Sequence, residues 1–164
     1  INYAPIFAFR NSFMKRLNLP TYSFNIKSEN DRRFIFDPCR EKWVALTPEE
    51  WVRQHIVRYL SDDLKYPLGL IATEMGILLN SRVRRCDIVV HNRNGLPVMI
   101  VECKAPSVNL NQATFDQANQ YNWALGLSFL IVSNGISHFC LEKIDNSFTF
   151  RNSFPDFDHL DNQS

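Results

Sequence analysis

The stretch Leu96-Pro97-Val98-Met99-Ile100-Val101-Glu102-Cys103-Lys104-Ala105-Pro106 constrains this chain more than any other. Its apolar run follows a Gly95-Leu96-Pro97 turn signal and reads as a buried strand, yet it ends on an acid and a base one residue apart. Side chains alternate along a strand, so Val98, Ile100, Glu102 and Lys104 are expected on one side and Met99, Val101 and Cys103 on the other. A carboxylate and an ammonium on so apolar a strand sit where burial is expensive. A bare Glu-x-Lys is most often a solvated ion pair at a frayed strand end, because charged groups are mostly exposed. The neighbouring sequence changes that reading.

Upstream lies Arg84-Arg85-Cys86-Asp87-Ile88-Val89-Val90, a second strand-like run, joined to the first by His91-Asn92-Arg93-Asn94-Gly95. Asn-Gly between two apolar runs is a strong hairpin signal, so the two strands should pair antiparallel. Symmetric pairing about residue 94 or 95 sets Asp87 across from the Glu102 region, and two carboxylates and a lysine then share one face. Clustered carboxylates repel unless a hard cation sits between them, and Mg²⁺ is the oxygen-seeking cation that keeps waters for chemistry. The pattern points to metal-assisted hydrolysis.

A chain of 164 residues with 45% hydrophobic content suits one domain with one core. No apolar run approaches the length that spans a bilayer, and the first residues lack the regions of a signal peptide, so a soluble cytoplasmic protein is expected. Cys39, Cys86, Cys103 and Cys140 show no Cys-x-x-Cys spacing and are expected as reduced thiols, with Cys86 and Cys103 on the strand sides away from the acids. The net charge of +1 is unevenly spread: residues 1–104 carry 16 Lys+Arg against 11 Asp+Glu, and residues 105–164 carry 2 against 6. Arg82, Arg84 and Arg85 stand just before Asp87, with Arg32 and Arg33 as a second basic pair. Such a face attracts a phosphate backbone, and equally serves as a solvated strand edge that resists aggregation.

Met14-Lys15-Arg16 reads like a natural start, which makes residues 1–13 an upstream extension or a vector-derived segment, residues 14–151 the domain, and the stretch from Asn152 to 164 a polar, loosely attached tail. Tyr22, Phe24 and Ile26 alternate with polar residues and are expected to form a hairpin with Arg33-Phe34-Ile35-Phe36. Thr47-Pro48-Glu49-Glu50 opens a helix, with Thr47 as N-cap, Pro48 in the first turn and Glu50 closing a capping box. The helix carries an apolar stripe of Trp51, Val52, Ile56, Tyr59 and Leu60. Glu50 is expected on the far side of this helix in a structural role. Glu49 lies at the stripe's edge, able to face a site or to pair with Arg53 four residues on.

Leu70 to Leu78 reads as a third strand, in which Glu74 either points outward or joins the acids. Leu110 to Leu125 has helical spacing and places Gln117 and Tyr121 on one face, either as core stripe and rim or as functional groups. Ser128–Ser133 is a buried strand followed by an Asn134-Gly135 turn and a strand from His138 to Ile144, with Phe148 to Phe150 as an edge strand. Helix, three strands, helix, strand implies a mixed α+β domain with helices on a central mixed sheet. The four histidines lack ligand spacing. The chain contains no Gly-x-x-x-x-Gly-Lys-[Ser/Thr] and so no sign of an ATP site.

Asp87, Glu102-x-Lys104 at a strand end and Gln117-x-x-x-Tyr121 on the next helix together resemble the PD-(D/E)XK nuclease superfamily. The Gln-x-x-x-Tyr element is similar to its RecB-like branch, in particular to the N-terminal nuclease domain of type I restriction enzyme R subunits. Arg40-x-Lys42-Trp43-Val44, Leu46-Thr47-Pro48-Glu49-Glu50-Trp51-Val52-Arg53-Gln54, Glu102-Cys103-Lys104-Ala105-Pro106 and Ser133-Asn134-Gly135 carry the same likeness, over about residues 20–150. The resemblance implies a restriction-endonuclease-like fold and a Mg²⁺-dependent endodeoxyribonuclease, with Mn²⁺ as substitute. Asp87, Glu102 and the Cys103 carbonyl would hold the metal, Lys104 would act on the attacking water, and Gln117 and Tyr121 would position DNA or the site, with Glu49 as a further candidate. Cys86 replaces the proline that commonly precedes the aspartate. The resemblance further implies that translocase, specificity and methylation functions come from other chains, or that the protein is a freestanding relative acting as a monomer or as a dimer formed on DNA. A different class remains open, a nuclease-like module that binds DNA or a partner protein and cuts nothing.

Overall fold

The computed structural model describes residues 14–161 apart from Asn80 and Asn146, and omits the side chains of Leu79, Gln117 and residues 120–124. An antiparallel three-stranded sheet comes first: β1 (Ile26–Glu29), β2 (Arg32–Asp37) and β3 (Lys42–Ala45). Asn30 and Asp31, at φ 49° and 60°, make the two-residue turn between β1 and β2, a conformation Asn and Asp tolerate better than other side chains. The expected hairpin is therefore present, but its first strand starts at Ile26 instead of Tyr22, and β3 is an addition. Phe24 leaves the strand pattern because its ring packs on Trp51 (5.1 Å) and His55 (4.7 Å) of the first helix.

That helix, α1 (Pro48–Arg58), is capped as expected at one end, with Thr47 Oγ1 accepting from the Glu50 N–H at 3.0 Å. The reciprocal half of a capping box is replaced, because the Glu50 carboxylate is directed to Arg40, Arg53 and Gln54. α1 runs on through a π-helical turn (Tyr59–Asp63) and a 3-10 turn (Leu68–Leu70) into the main sheet.

The main sheet has the order β4 (Ile71–Leu79), β5 (Arg82–His91), β6 (Pro97–Cys103), β7 (Phe129–Ser133), β8 (His138–Ile144), β9 (Ser147–Arg151). All pairs are antiparallel except β6 with β7, whose parallel pairing needs the crossover that α2 (Gln112–Leu125) provides. The architecture is the expected mixed α+β arrangement. Side-chain alternation divides the core into two layers. Met99, Val101, Phe129 and Ile131 pack with Val52, Ile56 and Val57 of α1 and Leu60 of the π-helical turn, whereas Ile100, Leu130, Val132 and Leu141 pack with Ala118 of α2. Each fully buried aliphatic side chain contributes roughly 1.5–3 kcal/mol.

The β5–β6 hairpin closes as its sequence predicts. Gly95 takes φ 77°, and Asn92 Oδ1 accepts from the Asn94 and Leu96 N–H groups. Ile88 pairs with Val101 and Val89 with Ile100, so Asp87 and Glu102 are the next positions in the same register.

One irregularity matters for the site. Ile71, Ile88 and Val90 belong to the α1 layer, yet Met75, Ile77 and Cys86 pack in the α2 layer. Residues two apart on a strand ordinarily share a face. Between the pairs Thr73↔Ile88 and Met75↔Cys86 both strands change face, and the residue between them on β4, Glu74, has φ 54°. The switch separates two cysteines expected on equivalent sides: Cys86 packs with α2 and Cys103 with α1. All four cysteines are free thiols.

The end of the described chain is docked and not loose. α3 (Phe157–Asp161) buries Phe157 and Leu160 in the α1 layer, Tyr66 Oη donates to the Pro155 carbonyl at 2.9 Å, and Arg93 pairs with Asp161. Two apolar side chains three residues apart were enough to outweigh the polar composition around them. Among the described residues no helix is long and apolar enough to cross a membrane.

Candidate functional site

Asp87 and Glu102 arrive on adjacent antiparallel strands and are 8% and 4% exposed, which removes the reading of Glu102 as a solvated strand end. Lys104 continues past β6, its N–H donating to the Ser133 carbonyl at 2.8 Å, and its Nζ donates to Glu102 Oε1 at 2.7 Å. Cys103 contributes through its backbone, with its N–H donating to Asp87 Oδ2 at 2.6 Å. The other carboxylate oxygen, Asp87 Oδ1, accepts from Arg53 Nη2 at 2.6 Å.

The electrostatics follow from this crowding. Burial, then the charge of Asp87, pushes the Glu102 carboxyl up to about 7, with Lys104 opposing. Burial works to lower the Lys104 ammonium, but its hydrogen bond to Glu102 and the surrounding acids win and hold it above the ordinary lysine value. A neutral lysine is thus not the resting form of this site. Glu49 is raised by burial and by Asp87, against Lys104 and Arg53, so it belongs to the same field although its side chain is 44% exposed.

Three residues that the sequence misplaced, left undecided or undervalued are central here. Glu50, expected on the far side of α1, is buried and holds Arg53 Nη1 at 2.5 Å, Arg40 Nη2 at 3.2 Å and Gln54 Nε2 at 2.9 Å. The contact from outside the helix comes from Arg40, which the turn between β2 and β3 carries to the Glu50 side of α1. Glu74 joins the acids through Arg53 Nη2 at 2.7 Å. Arg53 was legible only as a partner of Glu49. A second signal was available, because Arg53, Ile56, Val57 and Leu60 recur at helical spacing and put an arginine inside a buried stripe. Behind it the chain of contacts runs to Asp37, fully buried, which accepts from Arg40 Nε at 2.6 Å and Thr73 Oγ1 at 2.9 Å.

Arg82, Arg84 and Arg85 are exposed on the part of the β4–β5 hairpin beyond the face switch, together with the cross-strand pair Leu78 and Val83, 69% and 72% exposed. Arg85 Nη1 also lies 3.7 Å from Glu74 Oε2. The arm from Met75 to Cys86 holds three arginines and no acid. Gln117 and Tyr121 fall within α2, but their side chains lie outside the described residues.

The donor set suits a hard divalent cation. Two buried carboxylates occupy the facing positions one step beyond the pair Ile88↔Val101, one of them is raised by the other's charge, and each Asp87 oxygen keeps a second lone pair beyond the bond it accepts. Among the described residues no three His, Cys, Asp or Glu side chains form a ready ligand group.

No curated protein matches the chain. Among solved structures, a fragment described as an HsdR subunit of a type I restriction enzyme from Vibrio vulnificus shares the fold, with TM-score 0.54 and 20% identity over 70% of this chain. The present chain spans about a quarter, 24%, of that one. The model of the type I restriction enzyme R protein N terminus matches residues 48–155, from the first residue of α1 to the segment before α3. The chain belongs to the family of type I restriction enzyme R protein N-terminal domains.

Proposed function

We propose that this domain is a Mg²⁺-dependent endodeoxyribonuclease, the DNA-cutting module of a type I restriction system or of a freestanding relative in the cytoplasm. The observation that carries the reading is the buried pair Asp87 and Glu102 with Lys104 at 2.7 Å from Glu102. Asp87, Glu102 and the Cys103 carbonyl are the residues that would hold the ion, and Mn²⁺ would substitute for Mg²⁺. When bound, such an ion neutralises charge on the scissile phosphate and makes a water more acidic. The protein's own part is to fix the carboxylates, with Asp87 held from both sides by Arg53 and the Cys103 N–H, and to present the Lys104 ammonium where it orients the attacking water. Gln117 and Tyr121 are proposed to position the DNA from α2, and Glu49 to border the site. Translocase, specificity and methylation subunits are proposed as partners on other chains, with duplex cleavage requiring two such domains to meet on DNA.

The test is incubation of supercoiled plasmid with excess protein and Mg²⁺ or Mn²⁺. Metal-dependent nicking that Asp87→Ala abolishes supports the proposal, and no cutting of duplex or single-stranded DNA under either metal overturns it. One observation favours a second reading, a domain that binds DNA without cutting: both Asp87 oxygens are already engaged. Gel shifts that persist with metal chelated, together with intact plasmid, would select that reading.

DNA contact is proposed to run through the basic arm. Each phosphate neutralised adds roughly 0.9 to the slope of log affinity against log salt, so Arg82→Gln combined with Arg84→Gln should flatten that slope by about two. An unchanged slope measured by fluorescence anisotropy would remove the arm from the interface.

A further inference from the structure

The acids around the site outnumber the ligands that the proposed chemistry uses, and one cation of the protein gathers the surplus. Arg53 Nη2 lies 2.6 Å from Asp87 Oδ1, 2.7 Å from Glu74 Oε1 and 3.7 Å from Glu49 Oε1, so a single nitrogen is shared by carboxylates from β5, β4 and α1. We propose that Arg53 is a positioning residue that stands in place of a second metal ion, holding Asp87 in its ligating orientation and restricting the site to one divalent cation on Asp87 and Glu102.

Three features support this role over that of a general ion pair. The guanidinium is tethered from behind, because its Nη1 is held by Glu50 at 2.5 Å and Glu50 is in turn held by Arg40 and Gln54. With its side chain only 5% exposed, Arg53 cannot leave the acids without abandoning a buried Glu50. Glu74 reaches Arg53 from a residue at φ 54° inside a strand, a backbone conformation that a non-glycine residue keeps only when the surroundings enforce it. Finally, a guanidinium stays charged wherever it sits in a protein, so the cation among these carboxylates is permanent. A fixed, permanent cation among three carboxylates offsets the repulsion a second divalent ion would otherwise relieve, and it spends the oxygens such an ion would need.

This inference rests on the metal-dependent reading, and the two fail differently. Mn²⁺ is titrated calorimetrically into the protein, with bound ion counted independently by electron paramagnetic resonance. The wild type should bind one ion and Arg53→Met two. Arg53→Lys, which restores a charge, should return the count to one, and so should Arg53→Met combined with Glu74→Gln, which withdraws a carboxylate. Should Arg53→Met fail to fold, Arg53→Gln serves, since its amide keeps a hydrogen bond toward Glu50. Two ions on the wild type, or one ion on every folded Arg53 variant, would overturn the inference while leaving the metal site standing. No ion on the wild type would remove both readings together. A purely structural ion pair would change melting temperature in these variants without changing the count.

Discussion

Lys104→Met lowers metal-dependent cleavage by about two to three orders of magnitude, the size expected when one preorganised hydrogen-bond donor is lost from the transition state, while Mn²⁺ affinity holds or rises. The substitution keeps much of the aliphatic stem and removes a positive charge now 2.7 Å from Glu102, so repulsion on an incoming cation falls. Glu102→Gln separates the two roles from the other side. It preserves shape but removes an oxygen ligand and a negative charge, so metal binding and cutting both fail. Its stability effect has a definite sign. The Glu102 carboxyl, raised from 4.5 to about 7 by burial and by Asp87, binds a proton more readily folded than unfolded, so the metal-free protein loses stability as pH rises through that window. Glu102→Gln abolishes this loss and should melt higher than wild type at pH 8 without metal. Normal cutting by Lys104→Met in a plasmid assay would strip Lys104 of its role, and a Glu102→Gln protein that binds Mn²⁺ undiminished would strip Glu102 of its own.

The largest stability effect is expected away from the chemistry, at Asp37. Its carboxylate is fully buried and accepts from the Cys39 and Arg40 N–H groups, Arg40 Nε and Thr73 Oγ1. Burial acts to raise its pKa, but these bonds and the charge of Arg40 prevail and leave it below the usual carboxylate value. Asp37→Ala leaves Arg40 half-buried with only Glu50 to answer it, and breaking one side of a buried pair costs about 3–5 kcal/mol. At roughly 2–4 °C per kcal/mol for a chain of this size, the melting temperature should fall by about 10 °C. The pH dependence follows from the lowered pKa. Asp37 contributes stability above its unfolded value, and the contribution is lost as pH falls through the folded value. Asp37→Ala should therefore flatten the acid limb of the melting curve. Differential scanning calorimetry from pH 2 to pH 7 checks this, and an acid limb as steep as that of wild type would show that Asp37 is not its source.

The parts of this fold that were legible in the sequence are those encoded locally. Asn94-Gly95 marked the hairpin, and its register, shifted by a bulge between Val90 and His91, sets Asp87 and Glu102 one step beyond the pair Ile88↔Val101. Thr47-Pro48 fixed the start of α1, and unbroken apolar runs fixed the central strands. What escaped depends on contacts between distant segments. No local pattern tells that Arg40, in the turn between β2 and β3, reaches Glu50 on α1, and without that contact Glu50 reads as a solvent-facing residue. Glu74 was undecidable because its direction is set by a change of face within the strand, while a period-two reading assumes the face is constant. The docking of Phe157 and Leu160 was hidden by the polar residues between them. Arg53 was named but undervalued, since a helical pair explained it before its four acidic neighbours were in view.

The change of face at Glu74 and Asp87 also bears on how this domain can vary among relatives. The site sits at the root of the arm that runs from Met75 to Cys86, and the pairing beyond that root is uninterrupted through Leu78↔Val83 to Leu79↔Arg82. Residues added to both strands in matched numbers lengthen the arm outward and leave every contact of Asp87 in place. A single residue added to one strand below the root slides the register and sends the carboxylate to the opposite side of the sheet. Under the proposed function, reach toward DNA and geometry of the site are therefore set by separate parts of one strand pair: the arm can change in length while the residues at its base keep their register.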